Sequence, residues 1–204
     1  MNLKRLRKAE AEFLFQFPRG FDDPAMLEIR KKHNVPKLIE LSQSVFEPED
    51  FSRPAFIVEN LVKVVSRSSM ISMFEKPKFR DFAKGLSSDE RDFFVGGFQE
   101  RLHGREQLGF EMMLDMMATR QLAKWSLISI APFYFNPVDD VYVKPTTAKK
   151  IVEKLEIKEL LYKPRPSWEF YQIFRERINE MKAKVDKSLS PNSAAFTGFL
   201  MMSL

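Results

Sequence analysis

Residues 54–68, PAFIVENLVKVVSRS, are the stretch that decides the fold. Proline opens the segment, as it often does at the first position of an α-helix. Apolar side chains then recur at the i, i+4, i+7 and i+8 positions that share one helical face, namely Ile57, Leu61, Val64 and Val65. Two further valines widen this apolar stripe, so we expect the helix to occupy a central position in the fold.

The rest of the chain repeats this pattern, with a proline or a capping residue before one apolar-periodic segment after another. The further helices that we predict cover residues 3–17, 24–33, 36–46, 78–84, 87–103, 105–120, 146–157, 167–187 and a final segment opened by Ser190 and Pro191. The predicted fold class is therefore mainly α, with a single compact multi-helix domain over residues 1–204. Residues 141–204 are a candidate C-terminal sub-lobe within it.

Three short patterns give more specific expectations. Residues 133–143 hold two aromatic or β-branched triplets around Pro137, which predicts either a short β-hairpin or a loop anchored by its aromatic side chains. Residues 105–120 are apolar on nearly every side, which predicts the most buried helix of the protein. Gly96 and Gly97 lie inside a predicted helix, where they favour close contact with a neighbouring helix.

The net charge of +5 is concentrated in one part of the chain. Residues 141–187 contain twelve Lys or Arg against seven Asp or Glu, the first 140 residues are balanced, and the last seventeen carry no charge. The absence of cysteine excludes disulfides, iron–sulfur clusters, thiolate zinc sites and cysteine nucleophiles, and it fits a reducing cytoplasm. No apolar run approaches the roughly 20 residues that a membrane-spanning helix needs, so we expect a soluble, cytoplasmic protein without membrane association.

No catalytic, cofactor or metal motif stands out. Glu100 and His103 have the Glu-x-x-His spacing of di-iron bundles, but the second half-site is missing, because His33, the other histidine, has Arg30 three residues before it. The seven glycines form neither a Walker loop nor a dinucleotide fingerprint, and no serine sits in a nucleophile elbow. We therefore predict no metal, no cofactor and no catalytic residue, and the balance of motifs is against an enzyme.

Asp139 and Asp140 have a catalytic alternative to a structural role. Since they follow Pro137, they are typical of turn residues. As paired carboxylates they could instead serve a hydrolase or transferase whose groups converge only in three dimensions. That alternative requires a deep pocket lined by Asp139 or Asp140 with an arginine nearby.

The basic segment contains a candidate phosphate site at the start of the helix predicted from residue 146. Free backbone N–H groups, threonine hydroxyls and lysine ammonium groups come together there, and such groups bind phosphate or carboxylate. Lys150, Lys154 and Lys158 also lie at i, i+4 and i+8 on the outer face, a spacing that could follow a phosphate backbone. The alternative is a solvated helix face, because three glutamates on the same helix dilute the field. The candidate ligand-binding residues are Lys144, Thr146, Thr147, Lys149, Lys150, Lys154 and Arg165.

Two apolar features suggest further binding surfaces. Trp168 and Tyr171 begin an aromatic helix seam, and they would stack on nucleic-acid bases only if one of them is exposed at the helix start. The last fourteen residues carry no charge and end in a dense apolar run, which must be covered by the domain itself or by a second chain. The residues that would contact a protein partner or form a homodimer are Phe196, Phe199, Leu200 and Met201.

Six segments, 66–69, 74–82, 143–149, 162–171, 188–192 and 200–202, resemble a family of uncharacterised bacterial proteins, and the resemblance extends over the full length of the chain. It implies no activity. More distantly, residues 122–185 are similar to a helical region that precedes the motor module of modification-dependent restriction ATPases, which read modified DNA. This chain lacks the ATPase module, so the similarity implies only an association with defence or nucleic acid by analogy.

The sequence favours a non-enzymatic helical binding module, with a protein partner as the leading expectation. Abundant Met and Phe, the apolar C-terminal segment and the lack of catalytic groups support this interpretation. The alternative is a nucleic-acid or phosphate-ligand binder acting through residues 141–187, and an enzyme without a recognisable motif is the third hypothesis. Salt dependence separates the first two, because affinity for nucleic acid falls steeply as the salt concentration rises.

Overall fold

The structure is a computed structural model that describes all of residues 1–204. It contains eleven α-helices, four short 3-10 segments and no β-strand, which confirms the mainly α fold. The helices are α1 (Leu3–Gln16), α2 (Leu27–His33), α3 (Val35–Val45), α4 (Pro54–Arg67), α5 (Glu75–Lys84), α6 (Ser88–His103), α7 (Glu106–Ala118), α8 (Trp125–Phe135), α9 (Pro145–Lys154), α10 (Trp168–Lys182) and α11 (Ser193–Ser203). None of them combines the length and the apolar composition that crossing a bilayer requires.

Helix α4 is the element that residues 54–68 predict, and it lies among four other helices. It packs against α3, α5, α6 and α8. Its buried apolar side chains are those of the predicted stripe, Ile57, Val58, Leu61, Val64 and Val65. Their removal from water is the main favourable contribution that this helix makes to the stability of the fold.

Helices α6 and α7 form a close hairpin. Helix α6 begins with a capping box, in which the Ser87 hydroxyl and the Glu90 carboxylate each accept a hydrogen bond from the other residue's backbone N–H. The two backbones approach so closely that a Cβ atom added to Gly109 would lie 2.2 Å from the Arg101 nitrogen. Gly97 makes the same kind of close contact from α6, whereas Gly96 faces open space.

The predicted β-hairpin at residues 133–143 is wrong. Residues 133–135 are the last turn of α8, residues 137–139 form a turn, and residues 141–143 pair with no strand. The helix continues through Pro132 because that residue removes only one backbone hydrogen bond, while the apolar side chains around it gain burial. The alternative, a loop anchored by its aromatic side chains, describes the segment after α8, since the Tyr142 hydroxyl donates to the Met70 carbonyl at 2.8 Å.

The expectation that residues 105–120 form the most buried helix is also wrong. Helix α7 buries five of its thirteen residues, whereas α8 buries ten of eleven. The methionines of α7 are apolar on several sides, but only one face of the helix meets the core. The short α8 occupies the interior instead.

One cluster of 50 buried apolar residues extends from Leu6 to Leu200. The first and last helices meet within it, because α1 packs against α11 and the rings of Phe13 and Phe199 lie edge to face with centroids 5.4 Å apart. Nearby, the Glu10 carboxylate accepts a hydrogen bond of 2.7 Å from the backbone N–H of Asp186. The C-terminal helices therefore share their core with the N-terminal ones.

Candidate functional site

The basic surface predicted from residues 141–187 is centred on α9. The inner face of this helix is buried through Ala148, Ile151 and Val152. The exposed candidates are Lys144, Thr146, Lys149, Lys150, Lys154 and Arg165, whereas Thr147 is buried. Helix α9 and its cap position bring together all of these residues except Arg165, which lies in the connector eleven residues beyond the helix.

Most cations of this segment have no ionic partner. Of the twelve Lys and Arg in residues 141–187, only Lys149, Arg175 and Arg177 lie within 4.0 Å of a carboxylate oxygen. The Lys149 pair with Glu153 is 3.9 Å long and largely exposed, so it contributes little to stability. Two of the three glutamates that dilute the helix face in the sequence, Glu156 and Glu159, are paired with arginines outside α9. The glutamates therefore neutralise less of the positive potential of the α9 lysines than the sequence alone predicts.

The start of α9 presents free hydrogen-bond donors. No side chain caps this helix, and Lys144 occupies the cap position. The backbone N–H groups of Thr146 and Thr147 donate to no acceptor in the protein. Unpaired N–H groups and a neighbouring cation at a helix N-terminus are the elements of an anion-binding site.

The end of α2 joins this surface, which the sequence did not indicate. The Nδ1 atom of His33 lies 2.8 Å from the Ser69 hydroxyl. Burial, followed by the positive charges of Lys32 and Lys144, lowers the pKa of His33 below its ordinary value. The basic residues at the end of α2 are favourable at a helix C-terminus, and nothing in the sequence places them near Lys144. We use the term basic surface for Lys32, His33, Lys144, Thr146, Lys149, Lys150 and Lys154.

The two candidate stacking residues belong to an interior cluster. Tyr171 is fully buried, so its ring is not accessible to a base from solvent. Trp168 is half-buried, and its ring packs against Phe110 with centroids 5.6 Å apart. The guanidinium groups of Arg101 and Arg175 both lie 5.6 Å from the Trp168 ring, within the range of cation–π attraction.

The apolar C-terminal segment is covered by the domain itself. Phe196, Phe199 and Leu200 are fully buried against the rest of the chain. Met201 and its neighbour Met202 are less than half exposed. Of the residues predicted to contact a partner, only Met201 therefore presents its side chain to solvent.

Asp140 is the centre of a buried charge cluster. Only 3 % of its side chain is exposed. Its Oδ1 atom accepts hydrogen bonds from Nη2 of Arg101, from the Tyr171 hydroxyl at 2.7 Å and from Nη1 of Arg175 at 3.3 Å. Arg175 also binds the Glu106 carboxylate through two hydrogen bonds of 2.6 and 3.2 Å. Three helices, α6, α7 and α10, and the loop after α8 thus meet at two arginines and two carboxylates.

The cluster is balanced in charge, and its protonation states are set by burial. Burial, and then the negative charge of Asp140, raises the pKa of the Tyr171 hydroxyl far above its ordinary value, so it remains a neutral donor. For Arg101, burial opposes the charged form, but the negative charge of Asp140 and its hydrogen bond outweigh burial and raise the pKa. The guanidinium of Arg101 is only 2 % exposed and stays charged.

A polar pocket of about 350 Å³ opens onto this cluster. Its walls come from the end of α3, the α6–α7 corner and the end of α8, and its lining residues are Gln43, Glu47, Arg101, Leu102, Glu106, Phe135, Asn136 and Asp140. We call it the Asp140 pocket. It is lined by Asp140 with an arginine nearby, but it is about half open to solvent, whereas the catalytic alternative requires a deep pocket. Its lining contains no serine, threonine, lysine or histidine, so any nucleophile supplied by the protein there would be a carboxylate.

Glu100 and His103, the half-site considered for a metal, have separate partners. The Glu100 carboxylate binds Arg105 through side-chain and backbone hydrogen bonds. The Nε2 atom of His103 lies 2.8 Å from the Phe46 carbonyl oxygen. Both side chains therefore hold the α6–α7 corner beside the Asp140 pocket.

The sequence contained one overlooked signal for the charge cluster. Phe94, Phe98 and Arg101 lie at i, i+4 and i+7 on α6, so an arginine occupies a position of the buried apolar face. A charge at such a position is almost never fully buried without a partner. The partners themselves, Asp140 and Tyr171, have no sequence relation to Arg101 that predicts the contact.

In comparisons with known proteins, no family model, no curated protein and no solved structure matches this chain. The resemblances noted in the sequence remain predictions. The functional argument therefore depends on the residues of the chain itself, at the basic surface and at the Asp140 pocket.

Proposed function

We propose that this protein is a non-enzymatic binding module for nucleic acid, which contacts the phosphate backbone through the basic surface. The observation that supports this most directly is the convergence of unpaired lysines on a helix start with free N–H groups. Lys144 lies at the cap position of α9, and the free N–H groups of Thr146 and Thr147 follow it. A phosphate placed there would receive backbone hydrogen bonds and a charge-assisted hydrogen bond together.

The lysines further along α9 extend this contact. Lys150 and Lys154 are four residues apart on the exposed side and have no ionic partner. Such a row can neutralise successive phosphates, which releases counterions and makes affinity dependent on salt. Lys32 adds positive charge beside the helix start, since both Lys32 and Lys144 lie close enough to His33 to lower its pKa.

A nucleic-acid function takes precedence over a protein partner because of where α11 lies. The apolar C-terminal segment was the main reason to expect a partner, and its large side chains are buried in the same chain. It therefore no longer requires a second protein to cover it.

The first test is fluorescence anisotropy with labelled single- and double-stranded DNA and RNA. Replacing Lys144, Lys149 and Lys150 together with alanine should abolish binding, because it removes the cations around the helix start. Between about 50 and 200 mM salt, the affinity of the wild-type protein should fall by at least tenfold. The free energy of unfolding should change by less than about 0.5 kcal/mol, since the three side chains are exposed.

The matched control replaces Lys78, Lys84 and Lys124, which are exposed, lie outside the basic surface and have no ionic partner. This variant loses the same charge but should keep its affinity. Equal binding by the two triple variants would contradict the proposal, because net charge alone would then explain it.

A second prediction concerns pH. In the free protein the pKa of His33 is lowered by burial and by Lys32 and Lys144, so His33 is mostly neutral near pH 6.5. A phosphate bound beside Lys144 would offset that positive field and raise the pKa of His33. Since the complex then holds the proton more tightly than the free protein, affinity should increase as the pH falls below about 6.5.

NMR titration of the His33 ring with and without an oligonucleotide measures this shift directly. The His103 ring, which lies against Phe46 beside the Asp140 pocket, serves as the internal reference. Replacing His33 with asparagine should remove the pH dependence of affinity. An unchanged His33 titration in the presence of saturating oligonucleotide would place the bound phosphates elsewhere.

A protein partner is the second candidate function, and one observation favours it. Met73 and Phe74 are adjacent, and each is 79 % exposed in the segment between α4 and α5. The Ser72 hydroxyl accepts a hydrogen bond of 3.2 Å from the Phe74 N–H, which fixes the local backbone. Large apolar side chains exposed side by side are typical of contact points with other proteins. Binding at this point would change little with salt.

A further inference from the structure

Only one oxygen of the Asp140 carboxylate accepts hydrogen bonds from the protein. All three of its side-chain donors, from Arg101, Tyr171 and Arg175, bind Oδ1. No protein group donates to Oδ2. The only enclosed side-chain polar atom without a partner in this protein is the Ser42 hydroxyl, so Oδ2 is not sealed inside the core. Because Asp140 lines the pocket, its free oxygen faces that space.

This arrangement leaves one carboxylate oxygen open to the pocket, where water can satisfy it until a ligand with a donor takes its place. A buried carboxylate is stabilised when both oxygens are satisfied, and an unused oxygen is costly away from water. Here two arginines and a tyrosine bind Oδ1, while Oδ2 remains available to a ligand. This is the geometry of a side chain that is oriented for a ligand.

The pocket lining offers oxygens from Gln43, Glu47, Glu106 and Asp140, with the guanidinium of Arg101 as its one cationic group. Gln43 donates through Nε2 to the Phe135 carbonyl at 3.0 Å, so its amide oxygen is the group left free. Glu47 is exposed at the rim and has no ionic partner. A ligand that brings N–H donors therefore fits the free oxygens of Gln43, Glu47 and Asp140.

The charge of the pocket points to the same chemistry. Arg101 and Arg175 are balanced by Asp140 and Glu106 within the cluster. Glu47 then gives the lining a surplus negative charge. This surplus negative charge would repel an anionic ligand and attract a cationic one.

We propose that the Asp140 pocket binds a small organic cation that carries N–H donors, of the guanidinium or ammonium class. One donor binds Oδ2 of Asp140, and the charge is shared with Glu47 at the rim. Phe135 and Leu102 provide the apolar wall for a short carbon chain. The volume of about 350 Å³ lies at the small end of the range of roughly 300–1,000 Å³ for ligand pockets. This site shares no residue with the basic surface and is independent of the proposed nucleic-acid function.

Agmatine is a suitable probe, because it carries a guanidinium and an ammonium group on a short chain. Glutarate, a dicarboxylate of similar length, is the anionic counterpart. With the full-length protein labelled with ¹⁵N, agmatine should shift the amide resonances of the pocket residues with a Kd of about 1 mM or tighter, as its size allows. Glutarate should produce no such shifts.

Two variants assign the effect to the proposed groups. Replacing Asp140 with asparagine keeps an oxygen for the three internal donors but places an NH₂ group toward the pocket, so agmatine binding should weaken roughly 100-fold. Replacing Glu47 with glutamine removes the rim charge without touching the buried cluster, and it should weaken binding roughly three- to tenfold. The Glu47 variant keeps the test valid if the Asp140 variant does not fold.

Glu49→Gln is the matched control, since Glu49 is exposed two residues away and does not line the pocket. It should bind agmatine like the wild-type protein. The proposal is overturned if agmatine causes no shifts at the pocket, if glutarate binds there instead, or if Glu47→Gln and Glu49→Gln have equal effects.

Discussion

Replacing Asp140 with alanine should lower the free energy of unfolding by about 3 to 5 kcal/mol, the range found when one partner of a buried ion pair is removed. Arg101 would lose the carboxylate bound to its Nη2 atom while remaining only 2 % exposed. Its other carboxylate neighbour, Glu106, lies 3.7 Å from Nη1, too far for a hydrogen bond. An uncompensated guanidinium would thus remain in the core.

Urea unfolding followed by circular dichroism measures this loss. Asp139→Ala is the control, because Asp139 is an exposed neighbour whose backbone carbonyl, and not its side chain, binds Asn179. It should change stability by less than about 0.5 kcal/mol. A loss below about 1 kcal/mol for Asp140→Ala would mean that water reaches Arg101 far more freely than its burial indicates.

Replacing Gly109 with alanine should destabilise the protein by about 3 kcal/mol or more, at the upper end of the range for overpacked cores. The new methyl group would lie 2.2 Å from the Arg101 nitrogen and 2.4 Å from the Gly97 carbonyl oxygen. Both are backbone atoms, so no side-chain rotation relieves the overlap. The α6–α7 hairpin would have to separate, and Arg101 and Glu106 would move with it.

Gly96→Ala is the control for this second effect. A methyl group at Gly96 meets nothing within 4 Å, so the higher helix propensity of alanine should stabilise α6 by up to about 1 kcal/mol. Thermal unfolding of the two variants should therefore shift in opposite directions. A shift of equal sign and size would show that glycine contributes through helix propensity alone.

Local signals were sufficient to predict most of the helices. The capping box at Ser87 and Glu90 and the proline before α4 act within one turn, so their meaning does not depend on the rest of the chain. Helix α8 was missed for a tertiary reason. An apolar run that is buried on every side has no periodicity, and the helix continues through Pro132 because burial maintains it.

The two candidate sites also differ in how far local sequence signals predict them. Lys144, Lys149 and Lys150 could be identified from the sequence, because one helix positions all three. The Asp140 pocket could not, because Asp140 and its two arginines are 39 and 35 residues apart along the chain. Contacts of that kind are decided by helix packing, which leaves no local pattern.

The meeting of α1 and α11 also has a consequence for biosynthesis. The hydrogen bond between Glu10 and Asp186 spans 176 residues, so a ribosome working at about 5–20 residues per second would release the second partner roughly 9 to 35 s after the first. Throughout that interval the apolar face of α1, including Leu6 and Phe13, has no final partner. The nascent chain therefore exposes an apolar helix face for many seconds. Chaperones that act near the ribosomal exit bind exposed apolar surface of this kind.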